Sequence, residues 1–242
     1  IIIEECLEGE EVSMLVITDG KDCIPLASAQ DHKRIFDGDN GPNTGGMGAY
    51  SPAPVATPEL TDSVMNDIIK PTIAAMGKEN ARYTGVLYAG IMVTAAGPKV
   101  LEFNCRFGDP ETQAILPRLK SDLIELIEAS IDDEIDIAKP DWDERPCVSV
   151  VLSSGGYPGE YETGFEIEGL DALEKARDVY VFHAGTRLAD GKTVTAGGRV
   201  LNVTALGSDI RDAIDRCYNA VNLIEFEGMH FRRDIGHRAL KR

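Results

Sequence analysis

The stretch VLEFNCRFGDPET, residues 100–112, sets a run of polar and charged side chains at the end of an apolar segment. In a strand, side chains alternate between faces, and residues two apart share a face at a spacing of about 7 Å. This pattern places Val100, Glu102 and Asn104 on one side and turns Leu101 and Phe103 to the other, into a core. One carboxylate and one amide oxygen on a common face form a hard, oxygen-only pair. Mg²⁺ accepts such a pair when water and phosphate oxygens complete its octahedron. The same spacing also describes a strand end with two solvated polar residues. Arg106 either pairs with a nearby carboxylate or clamps an oxyanion, stabilising charge during phosphoryl transfer. Asp109 either caps the helix that Asp109-Pro110-Glu111 announces or holds a substrate amine, and Gly108 permits the turn between strand and helix.

Working outward, Val86–Thr94 precedes this strand, joined to Lys99–Asn104 by the turn AAGP at 95–98. The opening Ile1–Ile3, then Val12–Thr18 before the turn DGKD, and Ile24–Ala29 read as further strands. Residues 30–57 are rich in Gly, Pro, Asn and Asp and read as a long functional loop. Thr57-Pro58-Glu59 is a helix start, continued by Leu60, Val64 and Ile68, with a kink expected at Pro71. After a short helix ending near Pro117, Ser121 is placed to cap a helix over 122–130. The acidic run at 132–147 reads as a linker. Beyond it come a strand at 147–152, a strand in VYVFHAGT, the hairpin ADGKTVTAGGRV, a strand at 200–204 and a helix from Asp209. That helix aligns Ile210, Ala213, Ile214, Cys217, Val221 and Ile224. The order is α+β, with antiparallel strands and helices packed on them. The expected division is 1–140 and 141–242.

The 242 residues carry a formal charge of −17 and 43% apolar residues, enough for a packed core. That charge argues against sequence-independent binding to nucleic acid or an anionic membrane, and no apolar run reaches membrane-spanning length. Five cysteines, odd in number and without a CxxC or zinc spacing, read as reduced thiols of an intracellular chain. The start IIIEE reads as a strand already in progress, hence as part of something longer.

Other phosphate-type signals lie in the long loop. His32, Lys33 and Arg34 of DHKR are either a solvated cluster or contacts to a phosphate or carboxylate. GPNTGGMG at 41–48 could form a backbone nest for an anion. It lacks the GK[ST] of a Walker A loop and does not match GxGxxG.

Together these segments resemble the glycinamide ribonucleotide synthetase (phosphoribosylamine–glycine ligase) family of the ATP-grasp superfamily. RFGDPETQAILPRL at 106–119 is similar to the family's signature. QDHKR at 30–34, GPNTGGMGAYSPAP at 41–54, YTGVLYAG at 83–90, VLEFN at 100–104, GGYPG at 155–159, FHAGT at 182–186 and GGRVL at 197–201 follow in the family's order. The resemblance implies the larger part of an ATP-grasp domain, an antiparallel sheet with helices, followed by a small mixed α/β C-terminal domain.

It also implies the activity: ATP-dependent joining of glycine to 5-phosphoribosylamine through glycyl phosphate, in purine biosynthesis in the cytoplasm. ATP and Mg²⁺ or Mn²⁺ would be required. By resemblance Glu102 and Asn104 hold the metal, and Arg106 and Asp109 are catalytic. Glu5, Cys6 and Leu7 face the adenine, and Glu11 accepts the ribose hydroxyls. His32, Lys33, Arg34, Asn43, Thr44, Gly45, Gly46 and Arg199 are the substrate-binding candidates. Another ATP-grasp carboxylate–amine ligase, or a non-catalytic ATP-grasp remnant serving as a binding module, remains as an alternative. Two departures stand out. The strand GVLYAGIMV carries no acid where many ATP-grasp enzymes place a further metal ligand. The family's N-terminal domain and phosphate-covering subdomain are not found in this chain, so the expected partner is that N-terminal part and these residues alone are expected to be inactive.

Overall fold

The computed structural model describes residues 3–241. In chain order the strands are β1 (Glu10–Thr18), β2 (Cys23–Pro25), β3 (Gln30–Asp31), β4 (Arg34–Phe36), β5 (Asn40–Asn43) and β6 (Gly48–Ser51). Helices α1 (Pro58–Val64) and α2 (Lys70–Lys78) precede β7 (Gly85–Thr94) and β8 (Gly97–Asn104). Helices α3 (Glu111–Ile115) and α4 (Leu123–Ile131) lead to β9 (Cys147–Ser153), β10 (Val179–His183), β11 (Thr186–Ala189), β12 (Lys192–Thr195), β13 (Arg199–Leu206) and α5 (Ile210–Val221). Packing divides the chain into two units. The first holds the described residues up to Gln30, Pro52–Gly108 and Leu119–Trp142. The second holds Asp31–Ser51, Asp109–Arg118 and the chain from Asp143 onward. The fold is α+β, with antiparallel sheets, as its residue pattern predicts.

The first unit is built on the sheet β2-β1-β7-β8, antiparallel throughout. Val12, Met14 and Val16 of β1 and Leu87, Ala89 and Ile91 of β7 share one face, which buries Val64, Met65, Ile69 and Ile73. Period-two apolar residues on both strands and helical spacing on the helices make this interface. Thr57 caps α1 as expected, its Oγ1 accepting from the Leu60 N–H at 3.2 Å. The kink expected at Pro71 takes another form: a π turn over Met65–Ile69 lies immediately before α2, whose first turn contains Pro71. A wider turn accommodates a ring that would otherwise crowd the carbonyl four residues back.

Several sequence expectations are corrected. Ile1 and Ile2 lie outside the described residues, and Ile3 is 91% exposed and not in a strand. The strand expected at 24–29 shortens to β2, Cys23–Pro25, although the Leu26 N–H still donates to the Leu15 carbonyl at 2.8 Å. The "loop" at 30–57 contains β3 to β6: β4 and β5 pair with each other, β3 lies beside β6, and β6 pairs with β9 far along the chain. Asp122, not Ser121, caps α4, accepting from the Ile124 N–H at 2.8 Å, while Ser121 Oγ accepts from the Asp141 N–H. In the stretch 132–147, where many side chains are exposed, Ile135 is fully buried and Trp142 pairs with Leu119.

The second unit centres on the sheet β10-β13-β9-β6-β3. Every residue of β9 is buried. Val148, Val150 and Leu152 join Leu201, Val203 and Ala205 of β13 beneath Ala213, Cys217 and Val221 of α5. Asp209 starts α5 by accepting from the Asp212 N–H at 2.9 Å. Arg118 is nearly buried and donates to Ser51 Oγ, Arg145 O and Asp143 O, which fixes the end of the RFGDPETQAILPRL segment. The five cysteines are free thiols. No helix among the described residues is long and apolar enough to cross a membrane.

Candidate active site

In the first unit, β8 lies at the sheet edge, with Glu102 opposite Gly90 and Asn104 opposite Tyr88. Tyr88 and Gly90 alternate with the core residues Leu87, Ala89 and Ile91, so Glu102 and Asn104 stand on the face away from the helices. The register shifts at this point: Val100, not Leu101, pairs with Ile91. The bulge moves Val100 to the other face from Glu102, correcting the expectation that all three share a side, because an extra residue reverses the alternation. Nor does this edge strand bury its apolar residues: Phe103 is 40% exposed and Leu101 only half-buried.

The polar side chains of 102–106 touch in a row. Asn104 Nδ2 donates to Glu102 Oε1 at 3.1 Å, and Arg106 Nη2 approaches Asn104 Oδ1 at 3.4 Å. Arg106 Nη1 donates to the Phe107 carbonyl at 2.9 Å. Glu11 and Ser13 of β1 occupy the same face of the sheet by alternation. Ser13 Oγ lies 2.9 Å from the Tyr88 hydroxyl, and Gly90 leaves the surface between Ser13 and Glu102 free of a side chain. Buried Gln30 donates to the Glu11 carbonyl at 2.8 Å and to Glu10 Oε1 at 3.0 Å. Ser13 and Tyr88 escaped the sequence reading, since only the strand register brings them beside Glu102 and Asn104. Glu5 and Cys6 are exposed and Leu7 half-buried, in a segment without secondary structure.

A divalent cation fits this donor set. Glu102 is exposed, its neighbour is an amide, and a turn of that amide presents Oδ1 beside the carboxylate. Among the described residues no group of three or more His, Cys, Asp or Glu side chains could hold a metal. One carboxylate beside one amide oxygen suits an ion that takes few protein ligands and completes its shell with water and phosphate oxygens.

In the second unit, the DHKR segment separates into different roles. His32 is fully buried, its Nε2 accepts from the Gly236 N–H at 3.0 Å, and its ring stacks on His237. Burial first, then repulsion from Arg232 and Arg238, pushes its pKa down to about 3. A neutral, enclosed imidazole does not serve as an anion contact, so this placement speaks against the substrate role expected for His32. Lys33 Nζ lies 3.6 Å from the Asp31 carboxylate, and exposed Arg34 donates to the Gly41 carbonyl at 2.6 Å. Arg232, fully buried, forks onto Asp234 and donates to Asp39 Oδ1 and the Arg34 carbonyl, tying this hairpin to the C-terminal segment.

The 41–48 segment is not an open anion nest. The Thr44 N–H donates to Lys33 O, Gly45 N–H to the Tyr157 hydroxyl, Gly46 N–H to Thr44 Oγ1 and Met47 N–H to His32 O. Successive amides already satisfied by protein acceptors leave no array pointing outward. Asn43 and Gly45 are exposed, Thr44 is half-buried and Gly46 is buried. Asp109 does not cap α3. Its Oδ2 pairs with Arg199 Nη2 at 2.9 Å and its Oδ1 accepts from Gln113 Nε2 at 3.0 Å.

Comparison with known proteins finds two domain models along the chain. The phosphoribosylglycinamide synthetase ATP-grasp (A) domain matches residues 1–112, and the phosphoribosylglycinamide synthetase C domain matches 147–238. A phosphoribosylamine–glycine ligase of Allochromatium vinosum is 54% identical over 100% of this chain and 56% of that relative. The chain thus spans little more than half the length of the curated relatives it matches. The crystal structure of the phosphoribosylamine–glycine ligase of Thermotoga maritima superposes with a TM-score of 0.84 at 34% identity, over 96% of this chain and 57% of that one. A biotin carboxylase of Campylobacter jejuni shares the fold alone, with a TM-score of 0.65 at 14% identity over 94% of this chain and 48% of that one. With both domain models in register and such relatives spanning every residue, the chain belongs to the phosphoribosylglycinamide synthetase family.

Proposed function

We propose that the whole protein ligates glycine to 5-phosphoribosylamine at the expense of ATP, giving glycinamide ribonucleotide, ADP and phosphate, as a cytoplasmic step of purine synthesis. The observation that carries this reading is the contiguous row of Glu102, Asn104 and Arg106 on the open face of an edge strand. A glycine carboxylate oxygen attacks the γ-phosphorus, the bond to the β-phosphate oxygen breaks, and ADP leaves. The amine nitrogen of phosphoribosylamine then attacks the glycyl phosphate carbonyl, inorganic phosphate departs, and the nitrogen loses its proton. Positioning and charge stabilisation suffice for both steps, without a protein nucleophile.

Glu102 and Asn104 would hold Mg²⁺ or Mn²⁺, which when bound neutralises charge on the nucleotide phosphates. Arg106 stabilises the transferring phosphoryl group, and the Asp109 carboxylate receives hydrogen bonds from a substrate amine. Glu11 accepts from the ribose hydroxyls, and Glu5, Cys6 and Leu7 border the adenine. Lys33 and Arg34 are the cations offered to the phosphate or carboxylate of the substrates, beside Asn43.

The test is product analysis on the complete protein with ATP, Mg²⁺, glycine and phosphoribosylamine. Glycinamide ribonucleotide is expected, with phosphate release strictly dependent on glycine. Glycine-independent release, or a different amide product, points instead to another ATP-grasp carboxylate–amine ligase. No nucleotide turnover at all points to a binding module. Glu102→Gln should lower kcat roughly 100-fold and raise the Mg²⁺ requirement, since it removes the anionic member of the pair. Unchanged Mg²⁺ dependence would count against the metal role.

A further inference from the structure

Two glycine-containing motifs of the second unit, GGYPG at 155–159 and GGRVL at 197–201, converge on the turn Thr44–Gly46 and on Asp109. Both backbone groups of Gly45 are gripped. Its N–H donates to the Tyr157 hydroxyl at 3.1 Å, and its carbonyl accepts from Arg199 Nη1 at 2.8 Å. The same Nη1 donates to the Asp109 carbonyl at 2.9 Å, while Nη2 holds Asp109 Oδ2 at 2.9 Å. Gln113 holds the other carboxylate oxygen.

The contacts are close because side chains are missing where the groups meet. A Cβ on Gly198 would lie 2.4 Å from the Tyr157 ring, and one on Gly45 would lie 3.1 Å from Arg199 Cζ. Gly46, at φ +113°, sits against Pro110, where a Cβ would come within 2.4 Å of Cδ. The turn is thus pinned from three directions. Of the ion pair, the Asp109 side chain is 44% exposed and that of Arg199 only 21%. Each Asp109 oxygen keeps a lone pair beyond its protein partner. The group left to meet a ligand is the carboxylate, not the guanidinium.

We infer that Arg199 and Tyr157 are positioning residues: they clamp the Thr44–Gly46 turn and, through Arg199, aim the Asp109 carboxylate, so that Arg199 acts on substrate only through Asp109. The inference deepens the ligase reading and rests on it for the substrate. The clamp itself rests on geometry alone, and two readouts separate them.

The first readout is amide hydrogen exchange in the 242-residue chain. Arg199→Ala and Tyr157→Phe should each accelerate exchange at Gly45 and its neighbours at least about fivefold. Arg199→Lys, which keeps the charge and loses the fork, should also accelerate it, and serves if the alanine variant does not fold. Unchanged exchange in Tyr157→Phe and Arg199→Lys overturns the clamp.

The second readout is a double-mutant cycle in the complete protein. Arg199→Ala and Asp109→Asn should each lower kcat roughly 10-fold to 100-fold, and the double variant should be no worse than the poorer single. Multiplying effects, or an Arg199 defect confined to the KM of the phosphorylated amine, would assign Arg199 a direct substrate contact and overturn the inference. If the unaltered complete protein makes no glycinamide ribonucleotide, the ligase reading fails, while exchange still decides the clamp.

Discussion

His32 is fully buried, with Arg232 and Arg238 nearby and Asp39 and Asp234 partly offsetting them, a backbone N–H on Nε2, and Nδ1 buried without a partner. In the unfolded chain the same imidazole takes up a proton near pH 6.5, but in the folded protein it resists until about pH 3. Between those values the unfolded state binds one more proton, so stability falls as pH is lowered, by up to about 1.4 kcal/mol per pH unit. Urea unfolding from pH 7 to pH 4.5 should show this slope, and His32→Gln should flatten it; an equal slope in the variant refutes the assignment. Asp39 behaves in a second window. Burial alone would raise its pKa, but Arg238 and Arg232 outweigh it and hold the carboxyl at about 2. Its contribution, present above about pH 4, is lost as pH falls toward 2. None of this was legible in DHKR, because a tetrapeptide lists its neighbours along the chain, whereas burial and Arg232 arrive from two hundred residues away.

At the scale of elements, legibility followed the range of the interactions that make each one. The cap at Thr57, the strands β1 and β7, and the face of α5 depend on local hydrogen bonds and on periodicities of two or 3.6, which the sequence displays. The strands β3 to β6 run only two to four residues, too short to show a period; β4 and β5 pair with each other, while β6 exists because Gly48–Ser51 pair with Cys147–Val150. The bulge in β8 was equally hidden, since nothing local tells Leu101 to lose its partner. α4 offers a direct check of a corrected cap. Asp122→Ala should lower stability by about 1 kcal/mol in urea unfolding, through loss of the bond to the Ile124 N–H. A loss under a few tenths of a kcal/mol would show that Asp122 does not cap the helix.

For the whole molecule, each unit carries its own apolar core, and each carries part of the proposed chemistry: the Glu102–Asn104–Arg106 row in the first, Asp109 with its Arg199 clamp in the second. The chain covers 56% of a curated relative, so the 242 residues alone are expected to bind ATP weakly and to release no phosphate when given glycine and phosphoribosylamine. Robust turnover by this chain in a phosphate-release assay would contradict that. The sequence by itself determined the family, the α+β class and the residue types of the proposed metal and phosphate chemistry, because motif spacing and strand alternation are properties of the chain. The tertiary structure alone decided what those residues face. It enclosed His32, satisfied the amides of the 44–47 turn, lined Ser13 and Tyr88 up with Glu102, and set Arg199 against Asp109 and the Gly45 carbonyl. Register, burial and the pairing of distant backbone groups are set by long-range packing, which no local pattern records.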